Sequence, residues 1–178
     1  MGNYKDNRLQ ELADRGNGNH AYIDNIMEAK KVLVNEITST LFTIAKDVKI
    51  QVEFNPEKVE SYRLIGYENR KLDDKDFTDD TKDAGEIGAG HTVTALYEIV
   101  PTNSASSQTN DLKYQQTQIK NNAYNFDEIL TVKIRYKAPD GNKSKEIVSV
   151  LNDDKNSIDN SSNNLKFSSA VAEFAMLL

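Results

Sequence analysis

Seven carboxylates crowd into the segment from Asp73 to Glu86, the densest charge cluster in the chain. Calcium is held by about six to eight oxygen ligands, and a loop of closely spaced aspartates can supply them. Asp73, Asp74, Asp76, Asp79 and Asp80 are the candidates. The EF-hand spacing fails, however. Counted from Asp74, the sixth position is Asp79 where that loop needs Gly, and the twelfth is Gly85 where it needs Glu. The segment therefore reads first as a solvated acidic loop, with weak calcium binding as the alternative.

Other chemistry finds less support. Gly85-Glu86-Ile87-Gly88-Ala89-Gly90 resembles a phosphate loop only on the surface. Such loops follow a strand and open a helix, so that the helix N-terminus faces phosphate. Here a loop precedes the glycines and a strand is expected after them, so they read as a bulge or close approach at a strand entry. His20 and His91 stand alone, without the HxH or HxxxH spacing of a zinc site. No GxSxG elbow supports a serine nucleophile, and the absence of cysteine excludes thiolate chemistry and disulfides. An enzyme is not expected, nor a cofactor.

The formal charge of −6 and the interspersed Lys and Arg argue against a nucleic-acid partner, which needs clustered cations. The longest apolar run, Ala170–Leu178, is broken by Glu173 and falls well short of the ~20 residues of a membrane span. The segment Met1–Asp6 has no apolar core of a signal peptide.

The elements that would carry these residues follow from periodicity. Leu9, Leu12 and Ala13 predict a short helix over residues 7–15, capped by Asp6 or Asn7, with Gly16 or Gly18 closing it in the left-handed conformation. Ala21-Tyr22-Ile23 predicts a brief buried strand. Asn25 caps a long helix over residues 25–44, with Glu28 completing a capping box, and Ile26, Ala29, Leu33, Ile37, Leu41 and Ile44 form its apolar face. From Val48 the period changes to two. Val48, Ile50, Val52 and Phe54 point one way, and Lys49, Gln51 and Glu53 the other.

Further strands are expected at Val59–Tyr67, His91–Val100, Ile129–Lys137 and Lys145–Leu151, with a weaker one near Leu112–Ile119. The turn residues Ala138–Asn142 join two of them as a hairpin. Asn103–Asn110 and Asn152–Asn164 read as exposed polar loops. Ser168 or Ser169 caps a final helix containing Val171, Phe174, Ala175 and Leu178, and a chain that stops inside this apolar run reads as a boundary within a longer protein. The expected fold class is α+β: an antiparallel β-sandwich preceded by a long helix, with a helical C-terminus.

Three blocks carry a family resemblance. Asn7–Ala13 with Gly16–Ile23 resembles the closing segment of bacterial von Willebrand factor type A domains. Tyr62–Arg70 and Asp83–Glu98 resemble the uncharacterised region that follows the A domain in one bacterial family. The resemblance implies that residues 1–45 are an A-domain remnant (helix, short strand, long helix) and residues 46–178 a sandwich-like domain. The metal-ion-dependent adhesion motif of A domains, DxSxS, does not occur here, so no metal ligand is carried over.

The resemblance further implies an interaction or structural module that couples or spaces the A domain, working with protein partners at the cell envelope or outside the cell. The Ala45-Lys46-Asp47 connection would let the long helix transmit the state of that domain. The alternative is a calcium- or glycan-binding sandwich. Tyr62, Tyr67 and Tyr97 are the interaction candidates if exposed, and core residues if buried.

Overall fold

The computed structural model describes residues 5–16, 18, 20–37, 42–67, 71–102, 104, 119–154 and 157–177. Helix α1 (Asp6–Arg15) and helix α2 (Ile26–Lys30) lead into strands β1 (Thr43–Phe54), β2 (Val59–Ile65), β3 (Gly85–Gly88), β4 (Leu96–Pro101), β5 (Glu128–Lys137) and β6 (Lys145–Asn152). Helix α3 (Asn163–Met176) follows. The strands form a four-stranded sheet in the order β3-β1-β5-β6 and a two-stranded sheet of β2 and β4.

The residues divide into two compact units. One comprises Met1–Gln51, Leu72–Val93 and Ile134–Ile147, and the other Val52–Lys71, Thr94–Lys133 and Val148–Leu178.

The long helix is not there. Asn25 does cap α2, accepting the Glu28 N–H at 2.9 Å, but α-helix gives way to a π-helical segment at Lys31–Asn35. Ile26, Met27, Leu33 and Val34 are all exposed. A short helix is held mainly by burial of its apolar face, and this one buries none of its residues. Thr43 and Ile44 belong instead to β1, where Thr43 pairs with Gly88 and Ala45 with Ile87. Pairing in a sheet overrides the helical period there.

The same finding removes the expected connection: Ala45-Lys46-Asp47 lies inside β1. Between the Ala45–Ile87 and Val48–Gly85 pairs β1 carries one residue more than β3, a bulge, and Asp47 within it sits at φ 50°. Aspartate tolerates that left-handed conformation better than most residues. The glycine segment expected to enter a strand is itself β3, and residues 91–95 are not in a strand.

Other expectations need smaller corrections. Ala21–Ile23 is exposed and outside any strand. Gly16 ends α1 at φ −96°, not in the left-handed region, through N–H bonds to the Leu12 and Ala13 carbonyls. Helix α3 begins six residues before the expected caps, because Ser162 Oγ accepts the Leu165 N–H at 3.2 Å. Strands β5 and β6 are neighbours, joined through a turn closed by the Gly141 N–H on the Ala138 carbonyl. The weaker strand near Leu112 falls outside the described residues, apart from Ile119.

Candidate interaction surface

In the second unit, β2 and β4 form an antiparallel pair in which Tyr62 faces Ile99 and Leu64 faces Tyr97. Alternation along a strand puts these four side chains on one face. There Phe54, 8% exposed, lies with its ring centroid 4.5 Å from Tyr62 and 5.4 Å from Tyr97. Phe54 is the buried anchor and Tyr62 the outer ring, 56% exposed. Tyr97 is half-buried. Burial, together with the neighbouring Tyr62, pushes its hydroxyl above the ordinary range. The third candidate, Tyr67, stands apart from the ring cluster at φ 63°, its hydroxyl donating to the Thr94 carbonyl at 3.0 Å.

The opposite face of the same pair carries Arg63 opposite Glu98 and Ile65 opposite Leu96. Arg63 forms an ion pair with Glu98 and reaches Met176 of α3 at 3.6 Å. Ile65 and Leu96 line an open groove of about 300 Å³ with Phe167, Val171, Ala172 and Ala175 of α3. Phe167, Val171 and Phe174 remain exposed. An aromatic ring with an apolar body and a polar tip, exposed as Tyr62 is, suits contact with another protein.

The acidic loop belongs to the first unit and is bound by cations of the protein itself. Lys49, on the side of β1 expected to face solvent, is 4% exposed, whereas Ile50 is 49% exposed. The Lys49 ammonium donates to the Asp76 carbonyl at 3.1 Å and to the Asp79 carbonyl. Lys137, 8% exposed, donates to the Asp80 carbonyl at 2.7 Å and to Asp47 Oδ2 at 2.6 Å. Asp80 Oδ1 accepts from Ser144 Oγ at 2.6 Å and from Arg135 at 2.9 Å. The Arg135 guanidinium also lies 6.0 Å over the buried Phe77 ring.

Of the other candidates, Asp76 pairs with Lys82 at 3.7 Å, Asp79 accepts the Thr81 N–H and hydroxyl, and Asp73 pairs with Lys75 at 3.5 Å. Asp74 opens a short 3-10 turn and is exposed. Ammonium groups already occupy the Asp76, Asp79 and Asp80 carbonyls, and a further cation beside them meets like charge. Among the described residues, no three His, Asp or Glu side chains are grouped to hold a metal ion. Sequence reasoning missed the buried lysines. The signal available was Arg135 and Lys137 at alternate positions of one strand, in a chain whose acids concentrate in one loop.

These contacts set a pH dependence. Hydrogen bonds from Ser144 and Arg135 hold the Asp80 carboxyl at about 2, below its unfolded value near 3.9. A depressed carboxyl stabilises the fold fully above the unfolded value and ceases to do so as pH falls through the folded one. Asp47 acts in the same sense: burial pushes it up, but the Lys137 ammonium, Asp83 and the Ala84 N–H outweigh that and leave it lowered. Stability is therefore expected to fall between about pH 4 and pH 2, and to fall less steeply in Asp80→Asn, as read by denaturant midpoints across that range. Identical slopes for the two proteins would show that Asp80 is not held as described.

A β-rich α+β chain with an aromatic patch on one strand pair and a cation-bound acidic loop defines a class but no reaction. The chain belongs to the family described as "Uncharacterized protein YfbK, C-terminal", which matches residues 39–178. The Uncharacterized protein YfbK of Escherichia coli (strain K12) is 39% identical over 176 residues, covering 99% of this chain and 30% of that relative. The chain thus spans less than a third of the length of the curated relative it matches. No solved structure matches. Among the described residues, no helix is long and apolar enough to cross a membrane.

Proposed function

We propose that this chain is a non-enzymatic interaction module of a larger envelope protein, which couples or spaces a von Willebrand factor type A domain carried elsewhere in that protein. The observation that carries the reading is Tyr62, more than half exposed on the buried Phe54 ring. The larger parent is supported by the 30% coverage of the relative, and the A domain by the resemblance of residues 7–23 to its closing segment. With the long helix absent, coupling runs through a docked surface rather than along a helix.

Titrating the 178-residue chain with the separately prepared remainder of its parent polypeptide tests this by calorimetry. Association is expected, weakened by Tyr62→Ser about thirtyfold, which is roughly 2 kcal/mol for a hot-spot ring. Circular dichroism of the variant checks that the fold is intact. If the remainder gives no heat with the wild-type chain, the coupling role is abandoned.

A further inference from the structure

Strand β6 is an edge of the four-stranded sheet among the described residues, and every residue from Lys145 to Asn152 is exposed. Ile147, Val148, Val150 and Leu151 are 47–54% exposed. They occupy both faces of the strand, since successive side chains alternate. Natural edge strands are usually blunted by proline, bulges or inward-pointing charge, and an exposed apolar edge invites another strand. Between Glu146 and Asn152 the strand has neither proline nor charge.

We infer that β6 pairs antiparallel with β6 of a second copy of this chain, joining two four-stranded sheets edge to edge about a two-fold axis at Ser149. Register favours this pairing. The Asp153 N–H bonds the Asp127 carbonyl beside β5, so odd-numbered positions of β6 turn their backbone groups toward β5 and even-numbered ones toward the open edge. Centred on Ser149, Val148 meets Val150 of the second copy in a hydrogen-bonded pair, and Ile147 meets Leu151 in a non-hydrogen-bonded one. Glu146 then faces Asn152, and Lys145 faces Asp153, opposite charges that favour the pairing. Asp153 also has a contact in its own chain.

Neighbouring registers are worse. A two-fold at Val148 sets Glu146 against Val150 and Lys145 against Leu151. One at Val150 sets Ile147 against Asp153 and Glu146 against Asp154, a like-charge pair. Only the Ser149 axis matches apolar with apolar and opposite charges together, so the strand's own sequence names a second copy as its partner.

The chain contains no cysteine, which makes a cross-linking test clean. In the inferred dimer, residue 149 lies opposite itself at a Cα separation of about 4.5 Å, within disulfide reach. Residue 148 lies diagonal to its own copy at about 7–8 Å, outside that reach. Sedimentation of the wild-type chain up to about 1 mM should show a monomer–dimer equilibrium, since even a Kd of about 1 mM populates the dimer there. Under mild oxidation Ser149→Cys should form a disulfide dimer at least roughly tenfold faster than Val148→Cys. A wild-type chain that stays monomeric throughout overturns the inference without recourse to any variant. So does a dimer in which Val148→Cys cross-links as fast as Ser149→Cys, because that dimer uses another surface or register.

Discussion

Phe54→Ala is expected to destabilise the second unit by about 3–5 kcal/mol, the usual cost of removing a buried phenyl ring. Phe54 is one of three buried apolar side chains among the described residues, with Val59 and Phe77, and two tyrosine rings rest on it. Collapse into the vacated space would move the Tyr62 and Tyr97 rings that pack on it. Because total stabilities of domains are typically only about 5–15 kcal/mol, the loss is large enough to leave much of the chain unfolded. Urea unfolding followed by far-ultraviolet circular dichroism measures it, since the chain has no tryptophan. A change below about 1 kcal/mol would mean that the ring is not packed as described. Tyr62→Ser, by contrast, removes a ring that is already mostly solvated and should leave the fold in place.

Lys137→Ala carries the second large effect, about 3–5 kcal/mol. The ammonium holds Asp47 Oδ2 and the Asp80 carbonyl. Its removal strands a half-buried carboxylate and a carbonyl, and that uncompensated burial is the costly part. The sign of the interaction can be isolated. Lys137→Met alone leaves the Asp47 charge without its partner, whereas Lys137→Met with Asp47→Asn removes both charges and should recover part of the loss. Asparagine is the right replacement because it, too, accepts the left-handed backbone found at Asp47. If the two single changes simply add in the double variant, the pair does not interact.

What the sequence made legible was local. Alternation marked the cores of β1, β2, β5 and β6, turn residues marked the hairpin at Ala138–Asn142, and Asn25 marked a helix start. These signals depend on neighbours within a few residues. The long helix failed because Ile37 and Ile44 continue a helical spacing that only a buried face could sustain, while β3 offers Thr43 to Val48 a ladder that no local pattern announces. Helix α3 was placed too late because Ser162 lies in a polar stretch that looks like loop until its hydroxyl is seen on the Leu165 N–H.

The site was half legible in the same way. Tyr62, Tyr67 and Tyr97 could be singled out as strand aromatics, but which of them share a face with Phe54 depends on the β2–β4 register. Lys49 and Lys137 were missed as interior residues, the alternate cations Arg135 and Lys137 being the one hint. Their burial depends on a loop some 27–57 positions away in the chain supplying carbonyls to their ammonium groups.

Those lysines have a thermal consequence. Exposing apolar surface to water raises the heat capacity on unfolding, and exposing polar surface lowers it. In the first unit the buried ends of Lys49 and Lys137 rest on carbonyls and a carboxylate, and Phe77 is its only buried apolar side chain among the described residues. Such an interior releases little hydrocarbon when it opens. Its stability changes gently with temperature, without the pronounced optimum of an oily core, and cooling weakens it correspondingly little.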